Sequence, residues 1–257
     1  MAAPLTAFRL IGHDSIDSTN AEAHRLAAAG ERGPLWIWAR RQTEGRGRRG
    51  RAWTSEPGNL FATMLLTVSV PARIAAELGF VATLAVRDCF ARFLPEPAGL
   101  TLKWPNDVLL DGAKIAGILT ETCDGSTSSA TVAAVGCGLN LAHAPSDTRY
   151  PATALSRHGA VVEADDAMRT LAGAMERWLA VWNDGDGFPA IRRAWIGSAH
   201  RLGYEISVTV DGEPVVGIFE GLAEDGALML GGPSGKQRRF HAGEVSVSFE
   251  ARGAGVP

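Results

Sequence analysis

Apolar and polar positions fall into two periods along this chain, and the period changes mark its elements. Thr19 and Glu22 form a T-x-x-E capping box and Gly30 follows, which predicts a helix over 20–29. Leu35 to Arg40 and Leu60 to Val70 are apolar runs of strand character, separated by a Gly/Arg-rich stretch from Glu44 to Arg51. Ile74, Leu78, Val81, Leu84, Ala85 and Cys89 recur at helical spacing, so a helix is expected over 72–94, ended by Pro95. Three strands come next: Thr101 to Trp104 running on to Leu110, Ala113 to Thr122, and Thr131 to Val135. Asp111-Gly112 joins the first two as a hairpin turn. Residues 163–183 and 188–200 read as helices, with Trp178, Trp182 and Trp195 as packing residues.

The pattern shifts near Gly203. Short alternating strands (Ile206-Val208-Val210, Val215 to Phe219, Ala227 to Leu230, Val245-Val247-Phe249) are separated by turns at Asp211-Gly212, Asp225-Gly226 and Gly231-Gly232. The expected organisation is an α+β domain over 1–200, a small β module over 201–250 and a tail over 251–257.

Composition narrows the class. The 257 residues carry 25 basic and 28 acidic side chains, and a net charge of −3 argues against a general nucleic-acid or membrane-surface binder. No apolar run reaches the roughly 18 residues of a membrane span, and Met1 to Asp14 makes a poor secretory signal. Cys89, Cys123 and Cys137 form no CxxC, so neither a disulfide framework nor a zinc cluster is indicated. A reduced, cytoplasmic enzyme is the expectation. Only Lys103, Lys114 and Lys236 are lysine among the 25 cations. A chain that otherwise uses arginine has placed two compact ammonium charges in one segment, a choice with chemical meaning.

Gly45-Arg46-Gly47-Arg48-Arg49-Gly50 matches G-x-G-x-x-G literally, but Arg51 to Asn59 is a poor helix and a strand follows, so the dinucleotide fingerprint lacks its context. An RGG-like tail does not belong between two strands. The stretch reads best as a loop closing on a phosphorylated ligand, with glycines for backbone approach and guanidinium forks for phosphate oxygens. Farther on, Lys103-Trp104-Pro105-Asn106-Asp107 precedes the hairpin, Lys114 to Leu119 follows it, and Glu121 lies beyond. Asp107 and both lysines thereby come close across a tight turn. Pro105 withholds a strand donor, and Asn106-Asp107 suits a break where side chains turn toward a pocket. Gly136-Cys137-Gly138-Leu139-Asn140 closes the third strand with two glycines, as expected for close backbone approach.

Together, Ser18-Thr19-Asn20, Gln42, Gly45 to Arg51 with Trp53, Lys103 to Asp107, Lys114 to Leu119 and Gly136 to Asn140 resemble the biotin protein ligases in order and spacing over residues 18–140. The resemblance implies the family's class II synthetase-like, biotin–lipoyl ligase fold: α+β, a mixed, mainly antiparallel sheet with flanking helices, followed by a small C-terminal SH3-like β-barrel. It implies an ATP- and Mg²⁺-dependent enzyme that makes biotinyl-adenylate and passes biotin to a lysine of a biotin carboxyl carrier protein. By position, Lys114 is the charge between biotin carboxylate and α-phosphate. Ser18, Thr19, Asn20 and Gln42 line the biotin pocket, where Gly117 and Gly136 give backbone approach. Gly45, Arg46, Gly47 and Arg48 fold over biotin and adenylate, with Arg49 and Arg51 on the nucleotide side. Trp53 stacks near the adenine and Asn140 lies close to the base. Asp107 orients or deprotonates the carrier lysine, while Lys103 and Asn106 serve the phosphates. Thr19 as a capping residue competes with Thr19 as a pocket residue. Glu44 beside the arginines and Cys137 between the glycines depart from the pattern. The resemblance identifies no metal ligands, allows a homodimer, and, because it begins by Phe8, implies a ligase without the winged-helix repressor domain and without DNA as a partner.

Two rivals remain distinct. A lipoate or octanoate ligase of the same superfold would carry a different loop, and a nucleic-acid module would use the arginines with Trp53 as a stacking platform. A serine hydrolase lacks G-x-S-x-G.

Overall fold

The computed structural model describes residues 8–95, 99–146, 148, 150–232 and 236–246. Met1–His200 and Arg201–Pro257 are separate compact units. In the first, seven strands form one sheet: β1 (Arg9–His13), β2 (Leu35–Ala39), β3 (Leu60–Val68), β4 (Leu100–Lys103), β5 (Asp107–Leu110), β6 (Ala113–Thr122) and β7 (Thr131–Leu139), in the order β1-β2-β3-β7-β6-β5-β4. Only β1 and β2 run parallel; the rest is antiparallel. Helix α1 (Thr19–Ala28) packs on β2, β3 and β7. Helices α2 (Ala72–Ala75), α3 (Leu78–Ala91), α4 (Ala164–Trp182) and α5 (Phe188–Ile196) follow, with α3 against β4 to β7 and α4 against β3. The two faces of β7 separate these layers. Gly136 meets Asn20 of α1, and its neighbour Cys137 is close enough to Cys89 of α3 to influence it electrostatically.

Several expectations shift. Ser18, not Thr19, caps α1: it is extended, and its oxygen accepts the Ala21 N–H at 3.5 Å. Thr19 is therefore the first helical residue, which frees its hydroxyl. The helix expected over 72–94 divides into α2 and α3 because the Glu77 and Gly79 N–H groups bond three residues back, to Ile74 and Ala76, rather than four. The strand expected from Thr101 to Leu110 is a hairpin, with Lys103 opposite Asp107, since Pro105 has no N–H to continue a ladder. The strand beginning at Thr131 runs through both glycines to Leu139, bonded on both sides. Strand β1 went unread because its sequence is half polar, as befits an edge with three of its five residues exposed and the other two half-buried. All three cysteines are free and buried.

In the second unit, β8 (Glu205–Val210), β9 (Glu213–Leu222), β10 (Leu228–Gly231), β11 (Gln237–Phe240) and β12 (Glu244–Ser246) form an antiparallel sheet in the order β11-β10-β9-β8-β12, of SH3-like kind. The Gln-Arg-Arg-Phe sequence of β11 hides its strand character behind three exposed polar residues. Val247, Phe249 and the tail lie outside the described residues. Among the described residues no helix is long and apolar enough to cross a membrane.

Candidate active site

Strand register gathers the lysine segment into one row. Lys103 faces Asp107, Asp107 faces Gly117, Gly117 faces Gly138, and Gly138 faces Phe61, so these residues cross β4, β5, β6, β7 and β3 on a single face. The two glycines in the middle leave a trough, and the Trp53 indole fills it. A Cβ at Gly138 would lie 2.6 Å from the indole Cε2, and one at Gly117 3.0 Å from Cζ3.

Lys114 reaches this row through a β-bulge. Val108 pairs with Ala116 and Leu109 with Lys114, which makes Ile115 an extra residue. In a regular strand Lys114 would point away from the Gly117 face; the bulge turns it onto that face. A Cβ on Gly117 would be 3.1 Å from its Nζ. The ammonium lies 2.6 Å from Asp107 Oδ1 and 5.2 Å from the centre of the Trp53 ring. Lys103 Nζ is 3.9 Å from Asp107 Oδ2 and 4.3 Å above the Tyr150 ring. One carboxylate between two ammonium groups leaves the half-buried cluster with net positive charge, which suits an anionic ligand.

Asn140 braces the bulge. Its N–H donates to Ile115 O at 2.9 Å and its Nδ2 to Thr153 O at 3.1 Å. The 151–153 segment in turn pairs with Lys114, whose N–H donates to Pro151 O at 2.8 Å and whose carbonyl accepts the Thr153 N–H at 2.9 Å. Asn140 is buried at the end of β7, with that amide group committed to Thr153.

The Gly/Arg stretch is a small closed hairpin. Gly47 N–H donates to Arg51 O at 2.7 Å, Trp53 N–H donates to Gly45 O at 2.8 Å, and Arg49 (φ 57°) and Gly50 (φ 71°) make the left-handed turn. Buried Gly45 has no room for a side chain, since a Cβ would sit 2.5 Å from Trp53 O. Arg46, Arg49 and Arg51 are exposed, Arg46 within 4.0 Å of Glu44. Arg48 is the arginine that turns toward the lysine segment: its Nη1 donates to Asn106 Oδ1 at 3.4 Å. Asn106 is clamped to β6 on both sides, its Nδ2 donating to Ile118 O at 2.5 Å and its carbonyl accepting the Ile118 N–H at 2.9 Å.

A second row, one step along the strands, is Leu119, Gly136, Thr63 and Ile37. Above it stands the start of α1. Gly136 admits the Asn20 amide, whose Oδ1 a Cβ would strike. Thr63 Oγ1 lies 2.7 Å from Asn20 Oδ1 and 2.8 Å from Thr19 Oγ1. Gln42 Oε1 accepts the Thr19 N–H at 2.9 Å and lies 3.1 Å from the Thr19 hydroxyl, while Gln42 Nε2 donates to Ser55 Oγ at 2.9 Å. Asp17 steadies the capping turn by accepting the Ser18 N–H and a two-pronged contact from Arg25, whose guanidinium holds that carboxyl well below the usual carboxylate range. Cys137 faces away from both rows, and burial pushes its thiol up to about 12, so it is an inert packing residue.

The residues expected to form a site thus converge on one sheet face: Ser18, Thr19, Asn20 and Gln42 at one end, Arg48, Asn106, Lys103, Asp107 and Lys114 at the other, with Trp53 between. Thr63, Ser55 and Tyr150 were not singled out by sequence reasoning, and Gly138, one of the two glycines expected to allow close approach, was given no place in the pocket. Thr63 had a signal, one of two hydroxyls inside the apolar run Leu60 to Val68, and unlike Thr67 it is fully buried. Gly138 had the same glycine signal as Gly136.

Residues 13–140 match the Biotin/lipoate A/B protein ligase family, and residues 202–248 match the Biotin protein ligase C terminal domain. The biotin--[acetyl-CoA-carboxylase] ligase of Paracoccus denitrificans is 44% identical over 227 residues, 86% of this chain and 93% of that protein. That of Mycobacterium tuberculosis is 33% identical over 83% of this chain and 79% of its own. The structure of the biotin protein ligase from Aquifex aeolicus in complex with biotin and ATP superposes with a TM-score of 0.77 at 26% identity, covering 93% of this chain and 97% of that one. Fold and site therefore define an enzyme of the ligase class. The chain belongs to the biotin protein ligase family.

Proposed function

We propose that this enzyme activates biotin with ATP as biotinyl-adenylate and transfers it to a lysine of a biotin carboxyl carrier protein. The observation that carries the reading is the bulge that turns Lys114 onto the Trp53-covered glycine trough beside Asp107. In the first step a biotin carboxylate oxygen attacks the α-phosphorus of ATP. The acyl–phosphate bond forms, the Pα–O–Pβ bond breaks and pyrophosphate leaves. Two anions must meet, and the Lys114 ammonium between them offsets their repulsion, with Lys103, Arg48 and Asn106 toward the phosphates. Water exclusion by Trp53 and the Gly45–Trp53 hairpin strengthens those charges and protects the mixed anhydride. In the second step the carrier amine attacks the acyl carbon, AMP leaves, and Asp107 orients the amine or takes its proton. Thr19 and Gln42, with Ser18 and Asn20, hold the biotin ring. Trp53 offers a flat face to the adenine.

Among the described residues no three His, Cys, Asp or Glu side chains come together, and Asp107 is already engaged by two ammonium groups. That donor set does not fit a resident, protein-held ion. Magnesium in this reading is the counter-ion of the ATP phosphates, keeping several of its waters.

The test is ATP–pyrophosphate exchange with biotin, with lipoate and with neither. Exchange that requires biotin is the expected result. Exchange with lipoate alone would move the substrate to the sister ligases, and exchange with neither would overturn the activating chemistry.

A further inference from the structure

The bulge that turns Lys114 onto the site has an alternative. A bulged residue has no ladder partner of its own, and a slip of one residue reverses the face that a side chain takes. If Ile115 instead paired with Leu109, regular alternation from Gly117 would put Lys114 on the opposite face. Two sets of contacts outside the β5 ladder oppose that slip. Asn140 N–H donates to Ile115 O at 2.9 Å, and Lys114 bonds through its N–H and its carbonyl to the 151–153 segment. Both lead back to the turn that follows β7. Asn140 Nδ2 donates to Thr153 O at 3.1 Å, and Asn140 O accepts the Leu155 N–H at 3.0 Å. Leu141 O accepts the Ser156 N–H at 2.9 Å, and Ala142 O accepts the Ser156 hydroxyl at 2.8 Å.

That turn is gripped by a side chain from the neighbouring strand. Leu60 pairs with Leu139, which sets Asn59 beside the turn, 3% exposed. Asn59 Oδ1 accepts the N–H groups of Leu141, Ala142 and His143, each at 3.0 Å, and its Nδ2 donates to His143 O at 2.9 Å. Three successive backbone donors aimed at one point make a concavity of the kind that holds anions. Here the chain fills it with its own amide oxygen. The amide cannot turn over, because backbone N–H groups only donate. Gly58 (φ 97°) permits the close approach, since a Cβ there would lie 3.0 Å from Ala142 Cβ.

We infer that Asn59 is a positioning residue for Lys114. By fixing the turn at 141–143 it fixes Asn140 and the 151–156 segment, and these hold the bulge in the register that presents the ammonium to the site. The inference rests on the biotin-activating reading and deepens it. Asn59 acts through the turn and not on the reacting atoms.

The experiment measures biotin-dependent ATP–pyrophosphate exchange by the full chain. In Asn59→Ala a water can enter and accept from the freed N–H groups, so the fold is kept while the turn loses its anchor. Its kcat should fall about tenfold or more, the scale of a misplaced catalytic charge, with the KM for biotin and for ATP unchanged. Asn59→Asp keeps an acceptor for all three N–H groups and should recover most of the lost kcat. Added to Lys114→Ala, Asn59→Ala should slow exchange no further, because both changes act through one ammonium. Three outcomes would each overturn the inference: wild-type kcat in a folded Asn59→Ala enzyme, a raised KM in place of a lowered kcat, or an undiminished loss in the Lys114→Ala background. An Asn59→Asp enzyme as slow as the alanine variant would do the same. If Asn59→Ala does not fold, Asn59→Ser, which leaves a hydroxyl and room for a water, is judged by the same outcomes. Absence of biotin-dependent exchange in wild type would instead remove the reading beneath it, so the two failures are distinguishable.

Discussion

The two faces of the seven-stranded sheet solve opposite problems with the same strands. On the helix side, α3 and α4 pack Leu78, Val81, Leu84, Leu171 and Met175 against β3 to β7, all buried. Polar groups enter that layer through indoles. Trp182 donates to Glu77 at 2.7 Å, Trp178 to Asp88 at 2.8 Å and Trp195 to Thr83 at 3.2 Å. On the α1 side the floor is stripped to glycine at 117, 136 and 138, and what fills the space is chemistry: Trp53, Lys114 and Asn20. One face is packed for stability and the other is cleared for a ligand, and the alternation of β7 from Val135 to Leu139 serves both at once.

The largest effect that would sharpen this contrast is on the cleared face. Lys114→Ala should lower biotin-dependent pyrophosphate exchange by about 10²–10³, the usual loss when a charge aimed at developing anionic character is removed. Its melting temperature should stay near wild type, because Lys114 contributes a half-exposed ion pair rather than core packing. Exchange at the wild-type rate would remove Lys114 from the chemistry. The mirror experiment is Leu84→Ala on α3, where the side chain is 1% exposed. Deleting it should cost about 2–5 kcal/mol of stability by transfer and cavity effects, measured by urea denaturation, while KM for biotin and ATP stays close to wild type. A large KM change without a stability loss would mean that the faces are not separable.

Much of this division was legible beforehand. The apolar runs of β2, β3 and β6, the Asp111-Gly112 turn and the Lys103-Trp104-Pro105-Asn106-Asp107 segment follow from residue types with strong local meaning. The bulge at Ile115 did not show, because an extra residue is defined only against a partner strand and leaves no mark in a single sequence. The Thr19-x-x-Glu22 box pointed to Thr19 as the cap, but Ser18 takes that place, and the Thr19 hydroxyl goes instead to Gln42 and Thr63, partners too far along the chain for a local rule to foresee. Glu121 stood in plain view beyond the lysine segment without a role, since its partner Asn20 is 101 positions away.

A smaller effect tests the glycine floor itself. Gly138→Ala places a methyl group 2.6 Å from the Trp53 ring, closer than carbon atoms pack, so the indole must rise from the sheet. Exchange should fall about tenfold, a misplacement penalty, and Trp53 fluorescence should report greater exposure. Unchanged activity would show that the seating of Trp53 is irrelevant to turnover.

The smallest effect lies on the packed face, at Glu77, its one buried acid among the described residues. Glu77 sits between α2 and α3 with its carboxylate under the Trp182 indole, and burial raises its pKa above the ordinary 4.5, while the indole hydrogen bond and the charge of Arg73 pull the other way. Because the folded value lies above the unfolded one, the folded state binds the proton more tightly. The stabilisation this gives is complete below the unfolded pKa and is lost as pH rises through the folded value. Glu77→Gln keeps an acceptor for the indole and has no proton to lose. Wild type and variant should therefore melt together near pH 4, and the variant should be the more stable at pH 8, by on the order of 2 °C. A gap of that sign would show that the packed face tolerates an acid only at a cost, whereas the cleared face sets its Asp107 carboxylate between two ammonium groups. Equal melting at both pH values, or a variant less stable at pH 8, would place Glu77 in contact with enough solvent or positive charge to erase that difference between the faces.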